Sequence, residues 1–159
     1  FITTEELLQK YLGKTPKERE YEITKEYKAV FLMQVGCKLS DGTIHDGRAA
    51  DYDDWSLNGD ILFYFNTLDI ALELSSMGIR VDKDALLSQL EERNQMHKAN
   101  FPFHKDVIAE NLPFTVGGGI GQSRICMYFL QKAHIGEVQS SVWPQDMIEL
   151  CHENEIHLL

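Results

Sequence analysis

Residues 114–124 read Phe-Thr-Val-Gly-Gly-Gly-Ile-Gly-Gln-Ser-Arg, and this is the most informative stretch of the sequence. Residues 112–120 predict a strand, and residues 122–132 predict an apolar helix that begins directly after Gly121. Glycines at a strand-to-helix junction let the backbone approach a flat or phosphorylated ligand, and the helix directs its first amide groups at the same place. Arg124, one turn into that helix, can stack on an adenine or pair with a terminal phosphate. The pattern therefore indicates a nucleotide site.

Two other interpretations of the glycine-rich stretch are open. It could be a tight turn followed by a solvated arginine, because short glycine motifs also occur by chance. A dinucleotide-binding fingerprint fits less well. Gly117 and Gly119 lack a third glycine at the required spacing, pairing Gly119 with Gly121 is a forced fit, and no acidic residue ends a following parallel strand.

Length and composition predict one globular domain that does not bind nucleic acid. The chain has 159 residues, of which 43% are hydrophobic, and this is enough for one compact core. It has 25 acidic and 15 basic residues, and a formal net charge of -10 repels phosphate backbones. Three cysteines without CxxC spacing predict reduced thiols, and the longest apolar run is too short to cross a bilayer. We expect a soluble cytoplasmic protein. Because the chain begins with Phe1, we also expect the natural N-terminus to lie upstream.

The remaining pattern predicts neighbouring strands with helices at the flanks. Helices are predicted from capping signals and apolar stripes at residues 3–13, 15–27, 81–94, 102–111, 122–132 and 144–152. Strands are predicted at residues 29–35, 61–65, 68–74 and 112–120. Residues 68–74 fit a helix or a strand, and their strict alternation favours the strand. The predicted class is α+β with a mainly antiparallel sheet.

A second group of candidate residues lies at the end of the alternating segment. If Leu72 and Leu74 face the core, Glu73 and Ser75 face the opposite side of the sheet together. A carboxylate beside a hydroxyl on a sheet surface suits a magnesium ion that bridges nucleotide phosphates. Arg80 offers a bidentate clamp for a carboxylate. A solvated Glu73 and a surface ion pair for Arg80 are the alternatives.

A third group lies in residues 46–55, which contain four aspartates. Such a charge run is usually a solvated surface. Arg48, Tyr52 and Trp55 are interleaved with the acids, and carboxylates held by aromatic packing suit a pocket for an ammonium group or a metal. The six histidines show no HxH or HExxH spacing, so a dedicated zinc site is not expected.

Several segments resemble a known family. Residues 38–42, 48–55, 57–62, 73–81, 117–124, 134–139 and 142–144 are similar to ammonia-dependent asparagine synthetase, also called aspartate-ammonia ligase. The resemblance covers nearly the whole chain. That family is similar to the catalytic core of class II aminoacyl-tRNA synthetases, and residues 119–121 with Arg124 stand in the position of their third signature motif. A class II synthetase-like sheet flanked by helices is therefore implied.

The resemblance also implies roles for particular residues. The catalytic set is Arg124, Glu73 and Asp53, and Glu73 is the expected Mg2+ ligand. ATP would be held by Glu73, Leu74, Ser75, Gly119, Gly121 and Arg124. Aspartate would be held by Asp46, Asp53, Ser76, Arg80 and Gly117. The partners implied are aspartate, ATP and ammonia, with a homodimer formed through an N-terminal half.

The reaction implied has two steps. The side-chain carboxylate of aspartate attacks the α-phosphate of ATP and releases pyrophosphate, and ammonia then attacks the aspartyl-adenylate. Because the side chain is activated, the free α-ammonium and α-carboxylate must be anchored elsewhere by an acid and an arginine. We assign Asp53, with Asp46 as the alternative, and Arg80 to these roles.

The chain departs from the family in two respects. Residues 1–159 resemble one domain, the C-terminal portion of the catalytic domain, without the half that carries the first and second motifs, so we expect it to be catalytically incomplete. The segment between Trp55 and Leu57 is also shorter than in the family. An aspartyl- or asparaginyl-tRNA synthetase fragment is the nearest rival, and the acidic balance disfavours it. A non-catalytic binding paralogue is the other rival, and Glu73 and Arg124 disfavour it.

Overall fold

The computed structural model describes all of residues 1–159, with a five-stranded sheet at its centre. The strands are β1 (Ile2–Thr3), β2 (Ala29–Met33), β3 (Asp53–Phe65), β4 (Ile70–Arg80) and β5 (Val116–Ile120), and they lie in this order across the sheet. β1 and β2 are parallel, and every other pair is antiparallel. The predicted mainly antiparallel sheet is confirmed.

Helices cover both faces of the sheet. They are α1 (Thr4–Lys10), α2 (Pro16–Tyr27), α3 (Lys83–Glu92), α4 (Pro102–Ile108), α5 (Gln122–Phe129) and α6 (Gln145–Glu153), with short 3-10 turns at Met96–Asn100 and Ile135–Glu137. Thr15 and Glu18 form the predicted capping box of α2, in which each side chain bonds to the other residue's backbone N–H. No helix is both long and apolar enough to cross a membrane.

Several predicted boundaries are wrong. β3 begins at Asp53, eight residues before the predicted start at residue 61, and β4 continues from the predicted strand to Arg80. β5 begins at Val116 and not at residue 112, because Pro113 has no backbone N–H to donate to a ladder. β3 also runs without interruption through residues 55–57, and its register with β4 shifts between Asp53 and Asn58.

Three apolar clusters fix the sheet between its helices. Leu7 of α1 and Ile23 of α2 pack with Leu62 on one face. Met127 of α5 packs with Phe65 on the other face. A third cluster joins the start of β3 to α3 and α4 through Trp55, Val81, Leu86, Leu90 and Val107. Each fully buried side chain of this size contributes about 1.5–3 kcal/mol, so both faces are firmly held.

β4 contains one extra residue that changes which side chains share a face. Leu62 of β3 pairs with Glu73, whereas Ile61 pairs with Ser75, so Leu74 forms a bulge. Directly opposed residues point to the same face, and Ile61 and Leu62 point to opposite faces. The prediction that Glu73 and Ser75 share a face is therefore wrong, because it assumed an unbroken alternation along the strand.

Candidate active site

The bulge places a row of polar residues on one face of the sheet, which we call the site face and define by Asp60, Glu73 and Ser76. Asp60 pairs with Ser76, and Asp60 and Leu62 lie two positions apart on β3 and point the same way. Ser76, and not Ser75, therefore shares the face of Glu73. The Ser75 hydroxyl instead donates to the Gly119 carbonyl at 2.9 Å and helps to hold β5.

The glycines of β5 leave the site face open in two different ways. Gly117 pairs with Gly78, and a Cβ at Gly117 would collide with the Arg80 guanidinium. Gly119 pairs with Ser76, and a Cβ there would meet no atom within 4 Å. A Cβ at 117 would thus displace the end of a protein side chain, whereas glycine at 119 only keeps the surface flat. A flat, open surface is what close approach of a ligand needs.

Arg124 and Glu73 meet at one end of the site face. Arg124 Nη1 donates to the Glu73 carbonyl at 3.1 Å and lies 3.9 Å from Glu73 Oε1. The Gly121 N–H donates to the Leu74 carbonyl at 2.9 Å, which fixes the start of α5 beside the bulge. The Leu74 side chain packs in the core, so only its backbone can face a ligand. The Arg124 side chain is 50% exposed, and its remaining donors are accessible.

Asp60 lies beside Glu73 and was missed by the sequence analysis. Asp60 is 5% exposed, and its Oδ1 atom is buried without a hydrogen-bond partner. Burial raises the pKa of Asp60 against the opposing effects of Ser76 and Arg48, and burial followed by the charge of Asp60 raises the pKa of Glu73. Two crowded carboxylates with a free oxygen suit a hard divalent cation, so the donors fit Mg2+. The signal in the sequence was the position of Asp60 two residues before the buried Leu62.

Arg80 and Asp53 form the other end of the site face. Arg80 Nη1 donates to the buried Asp53 carboxylate, and Nη2 donates to the Tyr52 hydroxyl at 3.0 Å. The guanidinium stacks on the Tyr52 ring, 3.9 Å from its centroid. A Cβ at Gly78 would lie 2.8 Å from Asp53 Cγ, so this carboxylate reaches the sheet surface only because position 78 is glycine. Of the two predicted acids, Asp53 contacts Arg80.

Asp46 occupies a different part of the site. It is exposed, and its carboxylate accepts a hydrogen bond from the Gly47 N–H at 2.7 Å. Its charge acts on Asp60 and raises the pKa of that residue, after the larger effect of burial. Arg80 makes its hydrogen bonds to Asp53 and Tyr52 and none to Asp46.

The loop before β3 is anchored to α2 by a buried hydrogen bond. His45 Nε2 lies 3.0 Å from Glu20 Oε1, and both side chains are almost fully buried. Lys17 also donates to Glu20 at 2.9 Å. Burial opposes ionisation of Glu20, but the hydrogen bonds with His45 and Lys17 outweigh it and lower its pKa. This contact fixes the loop residues that follow, including Arg48.

The fold is that of a class II aminoacyl-tRNA synthetase core. An asparaginyl-tRNA synthetase from Entamoeba histolytica matches with a TM-score of 0.57 and 15% identity, over 87% of this chain and 34% of that chain. The same synthetase in complex with asparaginyl-adenylate matches with a TM-score of 0.56 and 16% identity, over 87% and 33%. At this level of identity the likeness establishes the fold alone, and the predicted class is confirmed.

Sequence comparison gives the family. The family model described as aspartate-ammonia ligase matches residues 1–155, and the chain belongs to that family. The aspartate-ammonia ligase of Ruminiclostridium cellulolyticum is 58% identical over 100% of this chain and 47% of its own length. That of Bacillus cytotoxicus is 60% identical over 99% and 48%, and that of Pediococcus pentosaceus is 57% identical over 100% and 48%. The chain therefore spans about half the length of these curated relatives.

Proposed function

We propose that this chain supplies the nucleotide and aspartate sites of an ATP-dependent ligase that makes L-asparagine from L-aspartate and ammonia. The observation that carries the proposal is the contact of Arg124 with Glu73 at the glycine-lined end of the site face. Membership in the aspartate-ammonia ligase family supports the choice of substrates. Residues 1–159 would form one domain, the C-terminal portion of the catalytic domain.

The nucleotide would bind at the Arg124 end. Arg124 would stack on the adenine or contact a phosphate, and Gly119 and Gly121 would let the backbone approach closely. Glu73 and Asp60 would hold Mg2+, which would neutralise phosphate charge. Ser75 would act indirectly, through its hydrogen bond to β5.

Aspartate would bind at the Arg80 end with its α-groups outward from the nucleotide. Arg80 would contact the α-carboxylate and Asp53 the α-ammonium, while Gly117 gives the guanidinium its space. Ser76 lies between the two ends and faces the same side. The side-chain carboxylate of aspartate would then extend over Ser76 toward the nucleotide.

The proposed reaction conserves atoms and charge through two displacements. A side-chain carboxylate oxygen of aspartate attacks the α-phosphorus, and the bond to pyrophosphate breaks with its electron pair on the pyrophosphate. The ammonia nitrogen then attacks the acyl carbon of the β-aspartyl-adenylate. The bond from that carbon to AMP breaks, and the nitrogen loses one proton to give asparagine.

The molecule that accepts the activated aspartate distinguishes this ligase from a tRNA synthetase and from a non-catalytic relative. AMP formation from ATP and aspartate is measured with ammonia or with tRNA as the acceptor, and binding of both substrates is measured in parallel. For residues 1–159 joined to the N-terminal half of a family member, we expect binding of both substrates and AMP formation with ammonia. Formation that depends on tRNA would indicate a synthetase, and binding without AMP under any condition would indicate a non-catalytic relative.

The same proposal includes the partners. Small molecules and not nucleic acids would bind, because the net charge is -10. The whole ligase would work in the cytoplasm as a homodimer assembled through its N-terminal half. Light scattering on a full-length relative, with and without tRNA, tests both the assembly and the absence of a nucleic-acid partner.

A further inference from the structure

Arg48 reaches the middle of the site face. It donates from Nη2 to Asp60 Oδ2, and Asp60 pairs directly with Ser76. The bulge leaves Ser76 two ladder positions from Glu73 and four from Arg80, so at about 3.3 Å per position these distances are roughly 7 Å and roughly 13 Å. The guanidinium of Arg48 therefore lies between the proposed nucleotide end and the proposed aspartate end.

The position of Arg48 is fixed from two sides. Gly36 has a φ of +110°, and a Cβ there would lie 3.0 Å from Arg48 Cβ and 2.7 Å from the Trp55 ring. The preceding His45 is held by Glu20 at 3.0 Å. A cation that is already positioned loses little conformational freedom when it binds a ligand.

The donors of Arg48 are only partly used by the protein. A guanidinium has five N–H donors, and the bond to Asp60 is the one hydrogen bond that this side chain makes. The side chain is 25% exposed, so donors remain accessible from the site face. No other cationic side chain hydrogen-bonds to Asp60.

We propose that Arg48 is a substrate-contacting residue that binds the anionic group where aspartate joins the nucleotide, with Asp60 as the positioning residue that holds it. This inference rests on the proposed function, which places the nucleotide at Glu73 and Arg124 and the aspartate α-groups at Arg80. The α-phosphate and the activated carboxylate must then meet over Ser76. Negative charge that develops there is stabilised by a fixed guanidinium.

Binding of two probes tests the role of Arg48. Adenosine carries no anionic group, whereas a non-hydrolysable β-aspartyl sulfamoyl-adenosine has one at the proposed junction. We expect Arg48→Met to lower the affinity for the sulfamoyl compound roughly tenfold to hundredfold in calorimetry and to leave the affinity for adenosine unchanged. Arg48→Lys should give a smaller loss, because an ammonium keeps the charge without the planar fork.

Two controls separate contact from structure. Arg93→Met is the matched variant, because Arg93 stacks 4.5 Å from the Trp55 ring and donates to the Gly36 carbonyl without reaching the site face. It should bind both probes as wild type does. The second control compares the double variant Arg48→Met with Asp60→Asn against Asp60→Asn alone. This comparison removes the arginine without leaving a buried unpaired carboxylate.

The outcomes distinguish this inference from the proposed function. No loss of sulfamoyl-adenosine affinity, or an equal loss for both probes in the single and double variants, would overturn the role of Arg48. A wild-type protein that binds neither probe would overturn the proposed function itself.

Discussion

Asp53 at the start of β3 lies next to Arg80 at the end of β4, and their charges are opposite to those of the α-ammonium and α-carboxylate of an amino acid. Arg80→Lys keeps the charge but removes the planar fork, so we expect aspartate affinity to fall about tenfold. Calorimetric titration with aspartate measures the change, and Arg93→Lys, outside the site face, is the control. Unchanged aspartate affinity in Arg80→Lys would show that Arg80 does not hold the α-carboxylate.

Glu20 has no proposed contact with a substrate. It anchors the loop before β3 through its hydrogen bond with His45. Because the pKa of Glu20 is lowered in the fold, its contribution to stability is present above the ordinary glutamate pKa of roughly 4.3 and is lost as pH falls through the lower folded value. We expect Glu20→Gln to reduce the unfolding free energy at pH 7 by about 1–3 kcal/mol.

The pH dependence of this difference is the sharper measurement. Urea unfolding of wild type and Glu20→Gln should give a constant difference above pH 5, and this difference should shrink as the pH is lowered further. Glu22→Gln on the same helix changes a partly exposed ion pair with Lys14 and should shift stability by less than about 1 kcal/mol. A difference that grows on acidification would contradict the assigned direction of the Glu20 pKa.

Within β5, substitutions of Gly117 and Gly119 should have different effects on the two substrates. We expect Gly117→Ala to displace the Arg80 guanidinium and weaken aspartate binding, because its Cβ would occupy that space. The Cβ of Gly119→Ala would lie in open space, so this substitution should leave aspartate affinity and folding unchanged. It should lower the affinity for ATP. Titrations of both variants with each substrate measure this crossed pattern. Equal effects of both substitutions on both substrates would contradict it.

The sequence predicted the elements well where local signals determine them. Thr15 and Glu18 specify the start of α2 through a capping box, and the alternation after residue 68 specifies a strand. The bulge at Leu74 has no local signature, because it arises from the pairing of β3 with β4. Ser75 was therefore assigned to the wrong face.

Asp60 was missed for the same physical reason. Its burial and its contact with Arg48 depend on residues 12 positions away, and its closeness to Glu73 depends on strand register. The convergence of Arg124 with Glu73 was predicted because the resemblance joined two distant segments. Pairing between elements, unlike the choice of helix or strand, is not encoded by residue spacing alone.

Ligand binding should appear as added stability of the entire protein. A ligand at 100 times its Kd that binds only the folded state adds about 2.7 kcal/mol, or roughly 5–10 °C in Tm for a domain of this size. We expect Mg2+ and ATP together to give such a shift, and EDTA to reduce it.

Glu73→Gln provides the matched control for the metal. In this variant the shift produced by ATP should be the same with Mg2+ and with EDTA, because a carboxylate of the pair is gone. Differential scanning fluorimetry measures all four conditions. A wild-type shift that is unaffected by EDTA would contradict a metal site at Glu73 and Asp60.

The bulge at Leu74 changes what a one-residue deletion in β4 would do. Removing that single residue would restore regular alternation, since Glu73 would still oppose Leu62 and Ser75 would still oppose Ile61. A one-residue deletion in a strand normally moves every following side chain to the other face of the sheet. Here Ser76, Gly78 and Arg80 would remain on the site face. The damage would fall on the core and on the carbonyl that receives the Gly121 N–H. Deletion of Leu74 should therefore weaken binding at the proposed nucleotide site and leave binding at the proposed amino-acid site unchanged.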